Sequence, residues 1–128
     1  MTAFFVPGRP VQQGSMKAVG NRVFHNSDAK LRVWRESIGW CARAAKVTLI
    51  PKETAVALEL DFIFERPKSV ARAFPIVPPD LDKLIRSCLD ALTGIGYVDD
   101  CQVIKISSTK IYGKTPGVRI SINPLTSL

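Results

Sequence analysis

From Val56 to Phe64, apolar side chains recur at every second position: Val56, Leu58, Leu60, Phe62 and Phe64. The intervening side carries Ala55, Ala57, Glu59, Asp61, Ile63 and Glu65 and is largely polar. A period of two fits an extended strand with one buried face and no helix. Thr54 to Glu65 therefore predicts a half-buried strand, and its apolar face demands a covering layer. A second segment can supply it. Placed on a helical wheel with Asp82 at zero, Leu81, Leu84, Ile85, Cys88, Leu89 and Leu92 fall between about 200° and 340°. Arg86, Asp90 and Lys83 fall near 40°, 80° and 100° on the same ~100°-per-residue wheel. This helix is expected to start at Pro78-Pro79-Asp80 and run to about Leu92, with Gly94 and Gly96 ending it.

The remaining elements follow by the same reading. Thr2 to Val6 is β-prone and stops at Pro7-Gly8, and residues 8 to 22 read as a loop with one short hairpin reaching Phe24. Asn26-Ser27-Asp28 offers N-caps for a first helix whose stripe is Leu31, Trp34, Ile38, Cys41 or Ala42, and Ala45. Arg66 to Pro79 is a long loop with four prolines and three cations, of the kind that is more often functional than idle. Gln102 to Tyr112 alternates and meets a hairpin-turn composition at Gly113 to Gly117. Val118 to Asn123, with Val118, Ile120 and Ile122 on one face, closes the sheet. The order β, loop, α, β, loop, α, β, β, without repeat or linker, predicts an α+β fold: one domain over 1–128, with a small mainly antiparallel or mixed sheet and two principal helices packed on it.

Composition narrows the function. A chain of 128 residues with 46% hydrophobic and 23% charged residues can bury a core without metal or disulfide staples. Its apolar runs are far short of the roughly 20 residues needed to span a bilayer, and the N-terminus lacks the basic and apolar regions of a signal peptide. No membrane association is expected. Cys41, Cys88 and Cys101 lack Cys-x-x-Cys spacing, which argues for a reducing, cytoplasmic setting. A single histidine, His25, excludes zinc sites needing two imidazoles and makes a Ser-His-Asp triad a poor fit.

Charge is unevenly distributed. Of 18 Lys plus Arg and 11 Asp plus Glu, the stretch from Asp80 to Asp100 holds Asp80, Asp82, Asp90, Asp99 and Asp100 with only Lys83 and Arg86, a net of −3. The remainder carries 16 cations against six acids, a net of +10. A basic body suits a polyanion such as nucleic acid. Clustered aspartates call for cations, and their hard oxygens favour Mg²⁺ or Mn²⁺ over zinc. A carboxylate metal site inside a basic protein points to phosphodiester cleavage. Each aspartate also has a plain structural account. Asp80 after two prolines suits an N-cap, Asp82 suits the helix dipole, Asp82 and Arg86 form an i,i+4 pair, and Asp99-Asp100 suits a turn.

The string Pro79-Asp80-Leu81-Asp82-Lys83-Leu84-Ile85-Arg86, then Leu89-Asp90-Ala91-Leu92-Thr93-Gly94, then Asp99-Asp100-Cys101-Gln102-Val103 resembles the RusA family of Holliday junction resolvases. Val6-Pro7-Gly8-Arg9-Pro10 and Trp34-Arg35 are similar to phage and prophage members, so the resemblance covers most of the chain. It implies a Mg²⁺-dependent endonuclease that acts as a homodimer on four-way DNA junctions in recombination and repair, in a bacterial or phage-infected cytoplasm, without a small-molecule cofactor. It further implies Asp80, Asp82 and Asp100 as metal-binding carboxylates with Asp99 supporting them. Lys83 and Arg86 stand where the best-known member has an asparagine and a functional lysine.

A two-fold dimer would place two sites symmetrically for paired cuts. Phosphate contacts are expected from Lys17 and Arg22 in the first loop, Arg66, Lys68 and Arg72 in the long loop, and Lys110 and Lys114 near the last hairpin. Phe74 is expected either as a core anchor or as a wedge at a junction centre. Two other readings stay open: a nuclease for flaps, forks or other branched DNA, and a non-catalytic basic nucleic-acid-binding protein.

Overall fold

The computed structural model describes residues 2–14, 17–19, 22–24 and 28–127, with the backbone alone for 17–19, 22–24 and 28. The chain runs β1 (Thr2–Pro7), β2 (Lys17–Val19), β3 (Arg22–Phe24), α1 (Asp28–Ala44), β4 (Ala55–Phe64), α2 (Leu81–Leu92), β5 (Val103–Tyr112) and β6 (Gly117–Leu125). A single 3-10 turn over Asp100–Gln102 precedes β5. The fold is α+β, with two helices on a four-stranded mixed sheet of order β1-β6-β4-β5, and β2 and β3 form a separate antiparallel ribbon. Among the described residues no helix is long and apolar enough to cross a membrane.

The expected faces are the buried ones. Val56, Leu58, Leu60, Phe62 and Phe64 of β4 pack with Trp34, Ile38 and Ala42 of α1 and Leu84, Cys88 and Leu92 of α2 in one core. Ile63, on the other face of β4, is also buried. Asn26 and Ser27, read as caps for α1, lie outside the described residues, as does His25. Gly117 opens β6 where a Cβ would run into the Val6 carbonyl and the Phe5 ring, so the β1–β6 pairing needs glycine there.

Two expectations are corrected. The turn at Gly113 to Gly117 does not make β5 and β6 hairpin neighbours. β5 pairs parallel with β4, and β6 pairs antiparallel with β4 on its other side and with β1. The reason lies in what each strand can bury. Val118, Ile120 and Ile122 give β6 a continuous apolar face fit for the interior. The corresponding face of β5 carries Ser108 and Lys110 and suits an edge. Asp99-Asp100, which follows the turn at Gly94 to Gly96 and in the sequence reads as opening the next strand, instead opens the helical turn before it.

β4, α2 and β5 thus form a parallel crossover unit. Lys110, late in β5, donates to the carbonyls of Val77 and Pro79 (both 2.8 Å), which fixes the start of α2 at the C-terminal end of the parallel strands. Tyr97 bridges to Ile50, and Gln102 donates to the Pro51 and Thr54 carbonyls (2.8 and 3.0 Å), fixing the Asp99–Gln102 segment at their N-terminal end.

Candidate active site

Asp80 occupies the N-cap position of α2, yet its side chain makes no capping hydrogen bond. The cap comes from elsewhere: the Asp80 N–H donates to Gln12 Oε1 (2.8 Å), and the Gln13 N–H donates to the Lys83 carbonyl (3.0 Å). The N-terminal segment therefore clasps the first turn and releases the Asp80 carboxylate, which lies exposed 3.4 Å from Lys83 Nζ. Asp82 follows in the first turn and is exposed. Among the described residues Asp82 and Arg86 form no ion pair; α2 is instead tied to α1 by Arg35 Nη2 on Asp90 Oδ2 at 2.8 Å.

The second acidic pair is divided in role. Asp99 caps the 3-10 turn: its Oδ1 accepts from the Cys101 N–H (3.0 Å), and Gln102 Oε1 accepts from the Asp99 N–H (3.0 Å) and the Val98 N–H (2.8 Å). This is a capping box. Hydrogen bonds from Cys101, foremost from its backbone N–H, hold the Asp99 carboxyl below its usual range. The same contact with Asp99 pushes the exposed Cys101 thiol up. Burial pushes the Cys88 thiol and the Tyr97 phenol far up, which marks both as core groups. Of the five aspartates, Asp90 is spent on Arg35 and Asp99 on the cap. Asp80, Asp82 and Asp100 remain as exposed carboxylates.

The fold keeps Asp80 and Asp82 with Lys83 and Arg86 on one helix start, but it sets Asp100 at the other end of the crossover unit. The 12 residues of α2 separate the two ends by about 18 Å at 1.5 Å per residue. Among the described residues, no three His, Cys, Asp or Glu side chains of one chain converge on a point that suits a metal ion. Two exposed carboxylates at the α2 start still match the one or two that Mg²⁺ usually takes, the rest of its shell being water and phosphate oxygens.

Beside this start lies a cavity of about 70 Å³ lined by Arg9, Phe64, Glu65, Arg72, Pro79 and Lys110 among others. The Arg9 guanidinium sits 5.5 Å from the Phe64 ring centre, and Arg72 Nε donates to the Tyr112 hydroxyl at 3.1 Å. Arg66, Lys68 and Lys114 are exposed, and Lys110 spends its ammonium on the two carbonyls. The Lys17 and Arg22 side chains lie outside the described residues, although both positions belong to the β2–β3 ribbon. Phe74 is exposed and is not a core anchor; Pro75 beside it is the buried residue.

Sequence reasoning gave no site role to Arg9, Gln12, Arg35 and Gln102. For Gln102 a signal existed, since Asp99-x-x-Gln102 has capping-box spacing. The others act across the chain, Gln12 across 68 positions, and no local pattern marks them.

A basic α+β domain with exposed aspartates heading a helix, beside a cationic cleft, has the character of a protein that acts on nucleic acids. Residues 7–123 match the family described as Endodeoxyribonuclease RusA, and the chain belongs to that family. It is also similar to the uncharacterized protein YqaN of Bacillus subtilis (strain 168), with 26% identity over 138 aligned positions that cover 97% of this chain and 96% of that protein.

Proposed function

We propose that the protein is a divalent-metal-dependent endodeoxyribonuclease that nicks branched DNA, with the four-way (Holliday) junction as its substrate, as a homodimer serving recombination and repair. One observation carries this reading: in a chain of the RusA endodeoxyribonuclease family, the Asp80 carboxylate at the N-cap is not used for capping, because Gln12 caps the helix instead. A purely structural N-cap would bond its own helix.

Asp80 and Asp82 are assigned as ligands for Mg²⁺, with Mn²⁺ as a substitute; Asp100, about 18 Å from them within one chain, is assigned to the same ion from the second chain of the homodimer, with Asp99 orienting it through the shared turn. When bound, the ion would supply a water of lowered pKa and stabilise charge on the phosphate oxygens. Lys83 and Arg86, on the exposed face of the same helix, would stabilise the charge that develops on the scissile phosphate. Arg9 and Arg72 in the cleft, with Arg66, Lys68 and Lys114 and the Lys17 and Arg22 of the β2–β3 ribbon, would hold flanking backbone phosphates and fix the register of the DNA, while Lys110 stays committed to the carbonyls of Val77 and Pro79. Phage or prophage DNA in the cytoplasm of a bacterial host is the setting this chemistry suits.

The test is cleavage in Mg²⁺ of matched duplex, flap, fork and four-way substrates. Symmetric nicks confined to the four-way junction are expected. Equal cutting of all branched forms would replace junction resolution with general branch cleavage, and binding without cleavage in any divalent ion would leave a DNA-binding protein.

A further inference from the structure

We infer that the cleft beside the start of α2 takes one nucleobase, unstacked from the DNA next to the cut, and that Glu65 selects a base with an exocyclic amino group over thymine. The inference deepens the proposed nuclease reading and rests on it for the place of the cut. It begins from a charge out of place. Arg9, Arg72 and Lys110 line the cleft, as a phosphate requires, but Glu65 lines it too. Although it shares the cavity with them, Glu65 forms no salt bridge with Arg9 or Arg72. An ionised carboxylate repels a phosphate and only accepts hydrogen bonds. A phosphate alone therefore fits the cleft poorly.

The walls suit a flat ring. Phe64, Pro75, Val77 and Pro79 supply apolar surface. The Arg9 guanidinium lies over the Phe64 ring, 5.5 Å from its centre. Held there, it offers its outer face to a second ring, since bases stack on guanidinium planes as they do on aromatic side chains. Its N–H edge is left for the phosphate of the same strand. Arg72 spends its Nε on the Tyr112 hydroxyl, which leaves both Nη groups for an acceptor. Size agrees as well. At ~10–15 Å³ per water, the 70 Å³ cavity holds roughly five to seven waters. At ~30 Å³ each in the liquid, those fill about 150–200 Å³, room enough for a purine or a pyrimidine.

Glu65 supplies the selection. Adenine, cytosine and guanine each carry an amino group that donates to a carboxylate. Thymine has carbonyl oxygens instead, which a carboxylate repels. The free Nη groups of Arg72 serve the ring acceptors that every base has. Position follows from the chain: Pro79 lines the cleft, and Asp80 is the next residue. A base held here therefore belongs to a nucleotide beside the phosphate that meets Asp80. Taking a base out of its stack costs least where stacking is already broken, so this cleft favours a branch point over uninterrupted duplex.

The test reads base choice and unstacking separately. Four-way junctions are made with each of the four bases in turn at the nucleotides flanking the mapped cut. At one of these positions the wild-type chain should cut the three amino-bearing junctions about tenfold or more faster than the thymine junction. Glu65→Gln, whose amide donates as well as accepts, should bring that ratio within about twofold, with the fold intact by circular dichroism. Glu59→Gln, exposed on the outer face of β4, should leave the ratio as it is. Separately, the fluorescent base 2-aminopurine is placed at each nucleotide around the branch point and the junction is bound with divalent ions chelated. Its emission should rise at one position on binding wild type and rise less with Glu65→Gln. Equal cutting at every base, an unchanged ratio in Glu65→Gln, or no rise at any position would overturn the inference. A rise that Glu65→Gln weakens, with no junction cut in any divalent ion, would leave the base pocket standing and sink the nuclease reading.

Discussion

Asp80 is a helix-start aspartate whose capping duty is performed by a side chain 68 positions away. That division of labour makes the residue-scale outcomes separable. Asp80→Asn or Asp82→Asn should abolish metal-dependent cleavage while thermal stability and junction binding stay near wild type, read by nicking assay, melting and gel shift. Gln12→Ala should do the opposite first, lowering stability by about 1 kcal/mol through loss of one exposed cap hydrogen bond. Asp99 supplies a pH-dependent case. Its folded-state carboxyl is lowered, foremost by the Cys101 backbone, so its contribution is present above the unfolded-state value and is lost as pH falls through the folded one. The stability gap between wild type and Asp99→Ala should therefore be widest at pH 7 and narrow below about pH 3.9, the ordinary aspartate value, in urea titrations. Cys101, with its thiol pushed up by Asp99, should alkylate more slowly at pH 8 than an unhindered exposed thiol and faster in Asp99→Ala.

At the scale of elements, the crossover unit depends on a few buried links. Gln102 is buried and joins the 3-10 turn to both the 50–54 segment and its own cap. Gln102→Leu strands those donors and acceptors and should cost about 2–4 kcal/mol, read as a lower denaturation midpoint. Gly117→Ala drives a Cβ into the Val6 carbonyl and Phe5 ring; backbone on one side leaves little room to yield, so a loss of about 2 kcal/mol or more is expected. Both elements show how far local pattern reached. The periods of β4 and α2 announced their buried faces residue by residue, and the stripe of α1 did the same for Leu31, Trp34, Ile38 and Ala42. The partner of β5 was not announced, because a turn composition says only that the chain reverses. Which strand it then joins depends on competition for the interior, which β6 wins.

For the whole molecule, a +7 chain with a −3 segment should bind DNA with a steep salt dependence. Log affinity should fall linearly with log salt, and Arg9→Gln should lower that slope by about 1 if the cleft holds one phosphate. Chelating divalent ions should stop cleavage and leave junction binding measurable.

The sequence by itself determined the layers, the buried faces and the small set of aspartates worth asking about. Hydrophobic period, caps and charge runs are properties of neighbours in the chain. Only the tertiary structure decided which aspartates remain exposed and unbonded to other elements. Asp90 is consumed by Arg35 from another helix, and Asp80 is released by Gln12 from the N-terminal segment. Asp80 and Asp100 stand at opposite ends of one crossover because β4 and β5 run parallel. Those outcomes come from contacts between residues distant in sequence, which no local spacing encodes.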